Sequence, residues 1–270
     1  MKGRRQAIVA VVLTSAIPPI YFLSPVIVGL VILRKGMNEA FLLLLTALLP
    51  MALWSIYPSM VTDQQANLLP YLLLFSVSGL ALALRAAQSW QLIVLLTVIV
   101  GLVFEFYLRL QPATVDVLMT QLNGLMEQNG VTDAVGRDQL IALIAMIQTV
   151  MALLLLIWCR WLQSMLYNPG GFRQEFHSLR IDNKAALLLV LLLLLSGLGV
   201  LVPETWYGYF SIPFMVAGVA LVHATVALKQ MSPLWLFVFY AVIPVIGQLL
   251  VLLALADSWY DFRKHMRNTT

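Results

Sequence analysis

Charge is what this sequence lacks most. Only 10% of its 270 residues are charged and 61% are hydrophobic, whereas a soluble domain carries about 25% charged residues. Apolar runs of about 20 residues recur along the chain, which is the length a helix needs to cross the hydrocarbon core of a bilayer. The run AALLLVLLLLLSGLGVLV at 185–202 contains no charge and is apolar all round. We predict an all-α, polytopic membrane bundle, with residues 1–270 forming one integral membrane domain.

Cysteine and histidine are also scarce. The single cysteine, Cys159, excludes an intrachain disulfide and a metal site built from several cysteines. The histidines, His177, His223 and His265, are widely separated, so no zinc site is expected. Neither a Walker-type nor a G-x-G-x-x-G motif occurs, which disfavours nucleotide binding. No spacing forces a nucleophile and a base together. We therefore expect no cofactor, no metal and no catalysis.

Eight apolar segments divide the chain, at 6–33, 38–58, 67–86, 89–110, 139–166, 185–203, 206–228 and 233–256. If each crosses once, the 16 Lys and Arg residues divide evenly between the two sides. If the first segment instead returns at Pro18-Pro19, the division is eleven to five. A second return near Pro244 makes it fourteen to two, whereas a kinked single span leaves it unchanged. Since basic loops stay on the cytoplasmic side, we predict six to eight membrane segments, a re-entrant first segment and a cytoplasmic 168–184 loop. The net charge of +4 fits contact with anionic lipid and not with nucleic acid.

The longest loop on the opposite side, 111–138, is acidic. Within it, Asp116, Thr120, Asn123 and Glu127 recur at helical spacing, and apolar residues line the other face. This pattern predicts an amphipathic helix at 114–128 that lies on the membrane surface. Two interpretations of this helix stay open: a lid that covers the bundle, and a gate over a binding cavity.

The polar stretch NPGGFRQEFHSLRIDNK, residues 168–184, separates two apolar segments. Pro169, Gly170 and Gly171 predict a tight turn that ends one helix. A new helix can begin at Phe172, and it would place three nitrogen-bearing side chains on one face, those of Arg173, His177 and Arg180. Such a face suits an anionic group. Three interpretations stay open: an interfacial elbow touching lipid headgroups or its own acids, a docking surface for a cytoplasmic partner, and a ligand site.

Polar residues within the apolar segments are candidates for ligand binding. Glu105 and Arg109 have the spacing of a helical ion pair. His223 lies beside a stripe of small residues that allows close helix packing. Gln148 and Gln248 lie near the middle of their segments and need partners on other helices. These side chains either line a cavity or join helices.

Two stretches resemble a known family. NPGGFRQEFHSLR, followed by a C-terminal region that contains Asp257, Trp259, Asp261 and Arg263, is similar to the YybS-like bacterial membrane proteins. The early stretch PPIYFLSPVIVGLVILRKG resembles their proline-rich first segment. That family is in turn similar to the substrate-binding subunits of energy-coupling-factor transporters. The resemblance implies a six-helix, solute-capturing subunit of the bacterial inner membrane, served by separate ATPase subunits. The Ala-x-x-x-Ala step of such subunits is found here at Ala220 and Ala224, and not in the first segment.

Two functions follow as expectations. The first is a non-enzymatic inner-membrane protein that recognises a solute or lipid. The second is a membrane scaffold or envelope assembly factor, which holds other membrane proteins through the 168–184 loop and the basic tail at 263–267.

Overall fold

The computed structural model describes residues 3–61, 66–130 and 135–267. Within these ranges the chain is helical and contains no strand, which confirms the all-α class. The helices in chain order are α1 Arg4–Ala16, α2 Leu23–Lys35, α3 Met37–Ser55, α4 Tyr57–Val61, α5 Leu69–Ala87, α6 Trp90–Arg109, α7 Pro112–Gln128, α8 Arg137–Tyr167, α9 Gly171–Ser178, α10 Asn183–Gly197, α11 Tyr207–Leu228, α12 Leu234–Tyr260 and α13 Phe262–Arg267.

Among the described residues, 6 helices are long and apolar enough to cross a bilayer, namely α3, α5, α6, α8, α11 and α12. The protein is therefore a multi-pass helical membrane protein. The segment predicted at 185–203 contains a shorter helix than expected, because α10 ends at Gly197 after 15 residues. A helix of that length rises only about 22 Å.

The contacts divide the chain into two compact units. The N-terminal unit comprises Met1–Gln88 and Ile99–Asn168, and the C-terminal unit comprises Ser89–Val98 and Pro169–Thr270. The single membrane domain expected from the sequence stays a prediction.

The N-terminal unit begins with a helical hairpin. The helices α1 and α2 have 13 residues each and are separated by the turn at Pro18–Ile20. Arg4 at the start of α1 and Arg34 at the end of α2 line the same pocket, so the chain returns to the end from which it started. The return predicted at Pro18-Pro19 is confirmed. Each arm rises about 20 Å, which is too short to cross a bilayer alone.

The helix α2 packs against α3, α5 and α8 at the centre of the N-terminal unit. It packs closely against α8 at Gly29, where an added Cβ would lie 2.8 Å from the Sγ of Cys159. Cys159 is buried. The lone cysteine is thus part of a close contact between two helices.

The predicted helix at 114–128 is confirmed as α7. Asp116, Thr120 and Glu127 are exposed, whereas Val115 on the other face is fully buried. Arg137 at the start of α8 forms an exposed ion pair with Asp116. Asp133 of the acidic loop, between α7 and α8, lies outside the described residues.

The C-terminal unit contains a sharply bent helix, α12. Trp235 and Leu253 line one pocket of about 520 Å³, yet in a straight helix they would be about 27 Å apart. Pro244 lies between them and is the only proline inside α12. Because proline removes a helical hydrogen bond, it is the usual cause of a sharp kink. The last helical segment therefore folds back near Pro244.

The fold-back leaves α12 with two arms of about 10 and 16 residues on either side of Pro244, each too short to cross a bilayer alone. The full length of α12, taken by itself, would suggest a single span. The second arm packs with α10 and α11 around a core that includes Phe214, Val251 and Ala254. Gly218 of α11 allows this close packing, because an added Cβ would lie 2.7 Å from the backbone oxygen of Leu250.

Candidate functional site

The candidate site lies in the C-terminal unit, at the loop that joins α8 to α10. Gly170 has a φ of +87°, a left-handed conformation that favours glycine. This turn follows Pro169, and α9 begins at the next residue, Gly171. The predicted turn is therefore present.

A pocket of about 410 Å³ lies beside α9. Arg173 and His177 line it from one face of α9, and small and apolar residues of α11, including Ala224 and Ala227, form its other wall. Arg263 of α13 also lines it. Among the described residues, no carboxylate lines this pocket, which we call the basic pocket, and the ionisable groups that line it are all nitrogen-bearing. Such a surface suits an anion.

Arg180 does not join Arg173 and His177, because α9 ends before it. Leu179 has extended backbone angles, which stop the helix at Ser178. The Nη1 of Arg180 donates to the Oδ2 of Asp261 at 2.7 Å, and its Nη2 donates to the backbone oxygen of Ser258 at 2.8 Å. The predicted face of three nitrogen-bearing side chains is thus wrong at its third member. Arg263 supplies the third nitrogen-bearing side chain instead.

Arg263 is held by a buried ion pair. Its Nη1 donates to the Oδ2 of Asp257, and the side chains of Arg263 and Asp257 are 7% and 3% exposed. Its Nη2 donates to the backbone oxygen of Leu179 at 2.8 Å. The other oxygen of Asp257 accepts from the backbone N–H of Phe262. These contacts fix Arg263 at the wall of the pocket and attach the loop after α9 to α13.

Asp257, Asp261, Arg180 and Arg263 together form what we call the C-terminal clamp. Each arginine pairs with one aspartate and also donates to a backbone oxygen. Three of the four belong to the Asp-x-Trp-x-Asp-x-Arg stretch at 257–263. The geometry gives that stretch a physical role, which its sequence alone did not reveal.

His177, which lines the basic pocket, lies near a second histidine, His223 of α11. The ring centroids of His177 and His223 are 6.4 Å apart. The Nε2 of His223 lies 2.8 Å from the hydroxyl oxygen of Tyr240, within hydrogen-bonding distance. Burial lowers the pKa of His177, and the positive charges of Arg173, His223 and Arg263 lower it further. A bound anion would oppose this effect, so binding favours protonation of His177.

The two acidic residues of the 168–184 loop, Glu175 and Asp182, form hydrogen bonds outside the basic pocket. The Oε2 of Glu175 accepts from the indole N–H of Trp90 at 3.2 Å. Asp182 caps α10 by accepting from the backbone N–H of Ala185 at 2.8 Å. That bond lowers the pKa of Asp182, as does a second bond from Gln91. Neither acid lines the basic pocket, so neither competes with an external anion there.

Within each unit, the residues proposed within the apolar segments lie apart from one another. In the N-terminal unit, Glu105 is buried and pairs with Arg109, whose Nη1 also contacts Asp138. Gln148 is ten residues after Asp138 on α8, about 15 Å along that helix. In the C-terminal unit, the exposed Gln248 lies 3.5 Å from the hydroxyl of Tyr207, at the opposite end of α11 from His223. Among the described residues no three His, Cys, Asp or Glu side chains could hold a metal ion.

The fold and the site define the class: a multi-pass helical membrane protein with a basic pocket at one end of its C-terminal unit. The chain matches no known protein-family model, no curated protein and no solved structure.

Proposed function

We propose that the protein is a non-enzymatic, multi-pass protein of a bacterial inner membrane that recognises an anionic group through the basic pocket. The observation that carries this proposal is the convergence of Arg173, His177 and Arg263 on one pocket that no carboxylate lines in the described part of the chain. Its volume of about 410 Å³ lies within the usual range for small-molecule sites. The ligand class is a phosphate- or carboxylate-bearing solute, or the headgroup of a lipid.

The charge distribution supports a cytoplasmic position for the basic pocket. The fold-back of α12 brings Arg263 to the end of the C-terminal unit that holds Arg173 and Arg180. This is the arrangement on which the fourteen-to-two division of basic residues depends. Under the positive-inside rule, that end faces the cytoplasm. We also propose that the chain is related to the YybS-like proteins. In that case coupling to ATPase subunits would convert recognition into transport.

A second candidate function is a scaffold that docks an acidic partner protein. The exposure of Arg173 and Gln174 favours it, because both side chains are accessible from outside the pocket. Arg173 forms no ion pair among the described residues. It is therefore available to a partner's carboxylate as well as to a small anion.

Native mass spectrometry of the full chain, purified in a gentle detergent, tests the proposal. We expect the wild-type protein and Lys264→Glu to retain the same anionic small molecule, and Arg173→Glu to lose it. Lys264 is the matched control because it is exposed and adjacent to Arg263 but does not line the pocket. Equal retention by Arg173→Glu contradicts the proposal. Loss of a copurifying protein, with no small molecule in any sample, supports the scaffold instead.

A further inference from the structure

A second pocket, in the N-terminal unit, has a different character. It has a volume of about 600 Å³ and lies where α1 and α3 begin and where α2 and α8 end. Its charged residues are Arg4, Arg34, Lys35 and Glu39. Its remaining wall is largely apolar and includes Ile27, Leu30, Val31, Leu43 and Leu166. The pocket thus combines a basic rim with an apolar floor.

The rim carries an excess of positive charge. Three of its side chains are cationic and one is anionic. Among the described residues, none of Arg4, Arg34 and Lys35 forms an ion pair with Glu39 or with another acid. Three cations are therefore available to a negatively charged ligand, and a single carboxylate opposes it.

Arg34 is held in place without losing its charge. Its Nη1 donates to the hydroxyl of Tyr167, and its guanidinium carbon lies 3.9 Å from the centre of the Tyr167 ring. An aromatic face attracts a cation but does not neutralise it. The contact therefore orders a long side chain before a ligand binds, which lowers the entropic cost of binding.

We propose that this pocket binds one anionic phospholipid, with its phosphate on the basic rim and part of an acyl chain on the apolar floor. Basic pockets between membrane helices bind anionic lipid headgroups in this way. The rim lies at the start of α3, a helix long enough to span a bilayer, so it lies at the level expected of headgroups. This inference involves no residue of the basic pocket and does not depend on the proposed function.

Titration of the detergent-purified full chain with phosphatidylglycerol tests the inference, with native mass spectrometry as the readout. Phosphatidylcholine, which has no net charge, is the control lipid. We expect one phosphatidylglycerol to bind in preference to phosphatidylcholine. We expect Arg34→Gln/Lys35→Gln to weaken that binding by about 30-fold, because each basic residue near an anionic lipid surface contributes roughly a fivefold effect. Arg137→Gln removes an exposed arginine elsewhere in the same unit and should leave it unchanged.

A second variant keeps the inference testable if the double variant fails to fold. Glu39→Gln removes the one opposing charge and breaks no ion pair among the described residues, so it should tighten phosphatidylglycerol binding by about fivefold. Equal binding of the two lipids, or unchanged binding in Glu39→Gln, would overturn the inference. If millimolar inorganic phosphate displaced bound phosphatidylglycerol as effectively as added phosphatidylglycerol does, the pocket would be a phosphate site. That result would also overturn the inference.

Discussion

Breaking the ion pair between Asp257 and Arg263 should destabilise the protein far more than breaking any other ion pair described here. Both side chains are almost fully buried, at 3% and 7% exposure. Substituting Arg263→Gln leaves the Asp257 carboxylate buried without its counter-charge, and it also removes the bond to the backbone oxygen of Leu179. Removal of one partner from a buried pair costs about 3–5 kcal/mol. We expect a loss of that size in the free energy of unfolding.

Arg180→Gln provides the matched control. The pair between Arg180 and Asp261 belongs to the same clamp and has a similar geometry, but its side chains are 30% and 32% exposed. Water screens such a pair, so its loss should cost about 1 kcal/mol or less. The two substitutions thus make the same chemical change at different burial.

Denaturant unfolding in detergent micelles, followed by tryptophan fluorescence, measures both changes. Similar losses for Arg263→Gln and Arg180→Gln would refute the reasoning, because burial would then have no effect on the value of the pair. The double variant Asp257→Leu/Arg263→Met supplies a second check. It removes both charges, so it should recover part of the stability that Arg263→Gln loses.

Three further predictions concern other parts of the chain. Because the pKa of His177 lies below its ordinary value of 6.5, the unfolded chain binds the proton more readily; stability should fall as pH drops below about 6.5, and His177→Gln should flatten that part of a melting-temperature profile. Gly218→Ala should destabilise the protein by roughly 1–3 kcal/mol, since the new methyl group would lie 2.7 Å from the backbone oxygen of Leu250; denaturant unfolding measures this, and a neutral result would mean that α11 and α12 can separate at no cost. Ser178→Cys, with the native cysteine replaced by serine, should resist membrane-impermeant thiol reagents in intact cells; ready labelling would place the loop outside.

Much of the fold could be predicted from apolar length and from proline. The unbroken apolar runs predicted the spanning helices, because a bilayer requires about 20 apolar residues per crossing. Pro18 and Pro19 marked the first hairpin, and Pro244 marked the bend in α12. At Pro244 the sequence left a kink and a return open, since one proline permits both. The contacts on either side of that bend show that the chain turns back there.

The basic pocket was predicted only in part. Arg173 and His177 are four residues apart on one short helix, so their shared face follows from helical periodicity alone. The end of α9 at Ser178 could not be foreseen, because neither glycine nor proline follows it. Arg263 could not be foreseen either, since its position depends on the path of α12 and on an ion pair with Asp257.

The C-terminal clamp has a consequence for the order of assembly during synthesis. Leu179 and Arg263, which the clamp joins, are 84 residues apart in the chain. At ribosomal rates of about 5–20 residues per second, the loop waits roughly 4–17 seconds for its arginine partner. During that interval α11 supplies the other wall of the pocket, but the pocket still lacks Arg263. Under the proposed function, anion recognition therefore begins only after α13 has been synthesised, and any pause within α12 prolongs the incomplete state.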